Sequence, residues 1–294
     1  MSRASVLLAA LQDGPASTSD LYTRVGYREL TRIGLVPYDA FRAELVKLAS
    51  AGLAQGEPAG DGSTVWRLTS SAPAIEAVVF DLDGVLVDSE SVWDDARRAV
   101  VARNGGQWRE GATRAMMGMS SPEWSRYLHD ELGVQLEPEQ INDEVVAALL
   151  AHYRRELPLL PGAEEAVRRL AACWPLGLAS SANRPVIDTV LETAGLGDSF
   201  SATVSAEEVA HGKPAPDVYL AAVRKLGVDA ARAAAVEDST NGLRAAAAAG
   251  MVVIAAPNRA FPPEPDALAL AALVIGSLDE LTPDAIVAAA HLRV

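Results

Sequence analysis

Six short apolar runs punctuate the chain between residues 74 and 277: AIEAVVF (74–80), PLGLAS (175–180), ATVSA (202–206), AAAVED (233–238), MVVIAAP (251–257) and ALVIGS (272–277). Continuous apolarity over so few residues is the mark of a strand buried on both faces. Helical patterns lie between most of the runs: GAEEAVRRLAA, PDVYLAAVRKLG and NGLRAAAAAG, with TPDAIVAAAHL closing the chain. Strand alternating with helix implies an α/β fold, a Rossmann-like parallel sheet with helices on both faces. In such a sheet ligands bind beyond the carboxyl ends of the strands.

One interval breaks the alternation. Residues 89–157 contain no convincing strand but several charged amphipathic segments, so a helical cap inserted after the first strand is expected. An insertion at that place can close over the sheet's mouth as a lid.

Residues 1–72 have a different character. SVLLAALQDG and STSDLYTRVG read as short helices, and PYDAFRAELVKLASAGL carries Phe41, Leu45 and Leu48 at helical spacing. LAQGEPAGDGSTVWRLT then gives two extended pieces around a Gly/Pro/Asp turn. Three helices and a hairpin resemble a small winged helix-turn-helix domain, joined by the linker TSSAPA (69–74). The α/β core is expected over 73–88 and 158–294. Val6 to Leu11 is too short an apolar run for a signal-peptide core and reads as helix.

The net charge of −14 opposes general binding to nucleic acid or anionic membranes. The 1–72 region is itself neutral, with seven Lys or Arg against seven Asp or Glu. DNA binding there ranks below contact with a protein partner or self-association. No run of about eighteen apolar residues predicts a membrane span. The single cysteine, Cys173, rules out an intrachain disulfide, is expected to be buried, and suits a reducing cytoplasm.

The stretch VVFDLDGVLVDSE (78–90) crowds Asp81, Asp83 and Asp88 where a buried strand ends. Repulsion among neighbouring carboxylates requires an offsetting positive charge. Ser180, Lys213, Glu237 and Asp238 stand at or near the ends of later strands. Any one of them alone would read as a cap or a surface residue. Asp88 belongs with DSES, read as a helix cap.

DLDGVLVDSE, LASSANR, GKPAPDVYL and VEDSTNGLRAAAAAG together resemble the four motifs of the haloacid dehalogenase superfamily, in the branch of small-molecule phosphatases and β-phosphoglucomutase-like enzymes. The resemblance implies Asp81 as nucleophile forming an aspartyl-phosphate, and Asp83 as the acid that protonates the leaving oxygen and then activates water. It implies phosphate binding by Ser180, Lys213 and the backbone near Ser181. It implies Mg²⁺ held by Asp81, Asp238 and Asp83 through its carbonyl, with Glu237 a further ligand or a partner behind the ligands. Mg²⁺ takes such oxygen donors and supplies the offset that the acids need.

A dehalogenase would lack an acid at Asp83. A phosphonatase would need a cap lysine, and residues 89–157 contain none. The mutase histidine and arginine positions hold Trp93 and Ser121, although Arg114 could be displaced into the second role. A Mg²⁺-dependent phosphatase acting on a small phosphate monoester, a phosphosugar or similar metabolite, is therefore expected. The alternatives are a phosphosugar mutase or a regulatory phosphometabolite sensor. Trp93, Arg97, Arg114, Met117 and Trp124 are candidates for contacting the substrate.

Overall fold

A computed structural model describes residues 3–50, 53–69, 74–116, 119–258 and 261–292. The chain forms two units, Met1–Ile75 together with Glu280–Val294, and Glu76–Asp279.

The first unit begins with α1 (Arg3–Gln12), a two-residue strand β1 (Ala16–Ser17) and α2 (Thr18–Val25). The Ser17 side chain caps α2 by accepting from the Asp20 amide. A short α3 (Tyr27–Arg32), which the sequence did not announce, precedes α4 (Tyr38–Ser50). Strands β2 (Ala54–Pro58) and β3 (Thr64–Leu68) pair antiparallel, and β1 joins the far edge of β3. Phe41, Leu45 and Leu48 of α4 are buried with Leu7, Leu8, Leu21, Leu30 and Trp66. The helical spacing read in 37–53 is thus the spacing of a core face.

The second unit carries a six-stranded sheet. Strand β4 (Ala77–Phe80) leads into α5 (Glu90–Arg103), α6 (Ala112–Met116), α7 (Ser121–Asp130) and α8 (Pro138–Arg155). Among the described residues of 89–157, these four helices are the only regular elements and no strand is present. Then come α9 (Ala163–Ala171), β5 (Leu176–Ser180), α10 (Arg184–Ala194), β6 (Phe200–Ser205), α11 (Asp217–Leu226), β7 (Ala233–Glu237), α12 (Thr240–Ala248), β8 (Val252–Ala255), α13 (Pro265–Leu268) and β9 (Leu273–Val274). The order is β6-β5-β4-β7-β8-β9 and every pairing is parallel. Chain order reverses at β4, which puts the crevice of the sheet at its carboxyl end. Val79, Ala179, Val204, Ala235 and Val253 are buried from successive strands among Tyr219, Leu243 and the alanines of α12.

The cap is held at its root by backbone pairing. Val87 bridges Leu159, the Asp88 amide donates to Pro158, and the Leu160 amide donates to Leu86. The outgoing and returning chains thus brace each other.

Three expectations need correction. The last helix, α14 (Pro283–Leu292), lies in the first unit, packed on α1, and Leu292 packs against that unit's core. The α/β core therefore ends before residue 294: the alanine face of α14 closes on α1. Cys173 is exposed, in the turn after α9 where its amide donates to Leu170. Ser89 precedes α5 in a helical conformation and makes no side-chain cap. Among the described residues no helix is long and apolar enough to cross a membrane.

Candidate active site

The Asp81 amide donates to Val236 of β7, which fixes Asp81 at the exit of β4, beside Glu237 at the end of β7. The Lys213 ammonium, carried by the loop between β6 and α11, donates to Asp81 Oδ1 and to Glu237 Oε1, at 2.6 Å each. All three are buried, and so is Asp238. Asp81, Glu237 and Asp238 bring carboxylate oxygens within 4.8 Å of one another.

Burial raises the Asp81 carboxyl to about 8; Lys213 opposes the rise, and Glu237 and Asp83 add to it. Burial, with Glu237 and Asp81, also pushes Asp238 well up. Burial pulls the Lys213 ammonium down, but Asp81 and Glu237 more than restore it. One ammonium does not neutralise this many acids, so the cluster calls for a further cation.

Two glycines make the crowding possible. Gly84 has φ +76°, and a Cβ there would stand 1.9 Å from Asp238 Oδ2. A Cβ on Gly242 would stand 1.6 Å from Glu237 Oε1. Only a residue without a side chain leaves these carboxylates their places.

Glu237 is fully engaged by donors. Tyr219 Oη joins Lys213 on Oε1, while the Asp238 and Ser239 amides and the Ser239 hydroxyl reach Oε2. Glu237 is thereby held at both oxygens, and it holds Lys213 in turn. Asp81 and Asp238 remain as carboxylates facing the cavity, a hard-oxygen set that fits Mg²⁺.

A cavity of about 380 Å³ opens above the cluster. Asp81, Asp83, Lys213 and Asp238 form its floor, with Ser181 and Ala182 beside them. Ser180 lies just behind this wall, its Oγ accepting from the Ala182 amide, which leaves the O–H as a donor. Asp88 is exposed and does not line the cavity.

The cap supplies the opposite wall. Trp93 Nε1 donates to Asp83 Oδ1 at 3.0 Å, tying α5 to the motif after β4. Asn183 of the core accepts from Ser121 Oγ at the start of α7 and donates to Asn142 of α8. Arg97, Arg114 and Trp124 line the cavity with Trp93. Met117 lies outside the described residues. Glu90, which the sequence reading passed over, also lines it. Its signal was available: Glu90, Trp93 and Arg97 fall at i, i+3 and i+7, one face of a helix.

A family model described as haloacid dehalogenase-like hydrolase matches residues 75–250. Hexitol phosphatase B of Escherichia coli K12 is 34% identical over 235 residues, covering 72% of this chain and 97% of that protein. Fructose-1-phosphate phosphatase of the same organism is 30% identical over 179 residues, 59% of this chain and 92% of that protein. The crystal structure of CbbY from Rhodobacter sphaeroides in complex with phosphate superposes with a TM-score of 0.66 at 28% identity, covering 72% of this chain and 99% of that one.

Proposed function

The chain belongs to the haloacid dehalogenase-like hydrolases, and from that premise we propose a Mg²⁺-dependent phosphatase that hydrolyses a small sugar or polyol phosphate. The observation that carries the reading is Lys213 bridging Asp81 and Glu237 at 2.6 Å on each side, under a cavity whose cap wall touches Asp83. The named phosphatase relatives support the reaction class and the size of the substrate.

Asp81 Oδ attacks phosphorus, and the bond to the leaving oxygen breaks. The leaving oxygen takes its proton from Asp83, so the alcohol departs neutral. Asp83, now a carboxylate, takes a proton from water as that water attacks the aspartyl-phosphate, releasing phosphate and restoring Asp81. Lys213 and the Ser180 hydroxyl meet the phosphoryl oxygens where negative charge builds. Asp81, Asp238 and the backbone carbonyl of Asp83 would hold Mg²⁺, which when bound reduces the repulsion between an anionic nucleophile and an anionic ester.

Trp93 on Asp83, where the mutase resemblance implies a histidine, supports the phosphatase over the mutase. The test is phosphate release from a hexitol 6-phosphate and from fructose 1-phosphate by the full chain with Mg²⁺, lost in Asp81→Asn. A hexose 1-phosphate converted to its 6-phosphate isomer without free phosphate would favour the mutase instead.

For the first unit the helices and antiparallel sheet support a winged-helix-like fold. The charge neutrality of residues 1–72, with Tyr27, Tyr38 and Val46 exposed, supports protein contact over DNA.

A further inference from the structure

Among the described residues, Arg97 Nε, in the cap, is a buried side-chain donor without a hydrogen-bond partner. Arg97 is only 8% exposed, yet it lines the cavity. Its guanidinium carbon lies 4.8 Å from the Trp93 ring centroid and 5.0 Å from that of Trp124, so both indoles hold it. Burial draws its pKa down to about 10, against the pull of Glu90, Asp83 and Asp94. Burial and the Asp83 charge push the Glu90 carboxyl up. A buried donor without a partner is costly unless a ligand or water satisfies it.

The place of this group fixes what it meets. Trp93, between Glu90 and Arg97 on the same helix face, is hydrogen-bonded to Asp83. In the phosphatase reading Asp83 hands its proton to the leaving oxygen, so the Glu90–Trp93–Arg97 stripe stands on the leaving-group side of the phosphorus. A guanidinium only donates and a carboxylate only accepts. Indole faces pack against C–H groups. Donor, acceptor and aromatic wall together match a carbon chain bearing hydroxyls. An anionic tail lodged beside Arg97 would meet Glu90, which is already the strongest countercharge of Arg97; the other cavity arginines, Arg114 on α6 and Arg244 on α12, lie off this stripe, and Arg244 is paired with Glu264 and Asp266.

We propose that Glu90 and Arg97, walled by Trp93 and Trp124, form a leaving-group subsite selecting an uncharged polyhydroxylated chain over one ending in a second phosphate or a carboxylate. The proposal rests on the phosphatase reading and names the part of the substrate that reading leaves open.

The test compares kcat/KM of the full chain for a hexitol 6-phosphate, for hexyl phosphate, which has the same carbon count without the hydroxyls, and for fructose 1,6-bisphosphate. The wild type is expected to prefer the hexitol ester to both. Arg97→Met should lower the hexitol-to-hexyl ratio by about ten- to a hundredfold, the range for hydrogen bonds to charged groups. Glu90→Gln should lower the same ratio, and it carries the test if Arg97→Met does not fold. A ratio unchanged in both variants overturns the proposal. So does a wild-type preference for the bisphosphate that Arg97→Met removes, which would mark an anion site. A second readout needs no turnover: the tryptophan fluorescence of Asp81→Asn, titrated with the hexitol ester, should change because Trp93 and Trp124 flank the subsite. Such a change, abolished by adding Arg97→Met, in a wild type that hydrolyses no ester would overturn the phosphatase reading and leave the subsite standing. No change would overturn the subsite.

Discussion

Replacing Lys213 by methionine removes one ammonium from between two buried carboxylates while keeping most of the side chain's volume. With its carboxylate ionised, each 2.6 Å contact is worth about 6 kcal/mol of gross attraction at an effective dielectric of about 20. Much of that only offsets the cost of burying the charges. Breaking one partner of a buried pair costs about 3–5 kcal/mol net. For a unit of about 200 residues this lowers the unfolding midpoint by roughly 10 °C. The loss depends on pH in a definite direction. The Asp81 carboxyl already sits near 8 in the folded protein, above its unfolded value, so folding favours its protonated form and stability falls as pH rises through that window. Without Lys213 the folded value rises further. The variant then goes on losing stability above pH 8, where Asp81 in the wild type no longer contributes a loss. Melting curves without added metal at pH 7, 8 and 9 should show the gap between the two proteins widening. A gap that narrows with pH, or a midpoint unchanged at pH 9, would refute the account of Lys213 as the internal countercharge of Asp81 and Glu237.

Gly84→Ala should place a methyl group on Asp238 and abolish the rise in melting temperature produced by Mg²⁺; an undiminished Mg²⁺ shift would show that Asp238 takes no part in holding the ion. Trp93→Phe keeps an aromatic ring against Arg97 but removes the donor to Asp83, worth roughly 0.5–1.5 kcal/mol, so kcat should fall about two- to tenfold. The fall should be larger for alkyl phosphates than for 4-nitrophenyl phosphate, whose leaving group needs no proton; equal losses would make Trp93 merely structural. If Asp81 holds Mg²⁺ as proposed, the ion has to displace a proton from it below about pH 8. Apparent Mg²⁺ affinity should therefore rise with pH and level off above that value. Calorimetry in buffers of different ionisation enthalpy should find protons released at pH 7, and none released would contradict the raised Asp81.

The parts of this molecule that its sequence exposes are those fixed by one-dimensional spacing. A strand buried on both faces has to be a short apolar run, and the six runs became β4 to β9, although β9 keeps only Leu273 and Val274 as strand. Residues at strand exits are brought together by the sheet itself, so Asp81, Lys213, Glu237 and Asp238 could be grouped before any distance was known. What spacing cannot carry is which oxygen faces which donor. Glu237 read as either a further ligand or a partner behind the ligands, and the sequence could not show that Tyr219 and Lys213, from a different helix and loop, meet on one of its oxygens. The contact of Trp93 with Asp83 depends on how the cap closes over the sheet, and no local pattern encodes that. Glu90 was hidden by its own neighbours: between Ser89 and Ser91 it read as part of a capping sequence, although Ser89 caps nothing. The last helix shows the same limit from the other side. PDAIVAAAHL has little charge contrast around its circumference, so its sequence fits a flank of either unit, and only the packing on α1 decides. The chemistry of acid clusters is therefore written at strand ends, where backbone topology forces convergence. The specificity proposed here depends on long side chains crossing between cap and core, such as Trp93, and there only the folded geometry separates a residue that packs from one that faces the cavity.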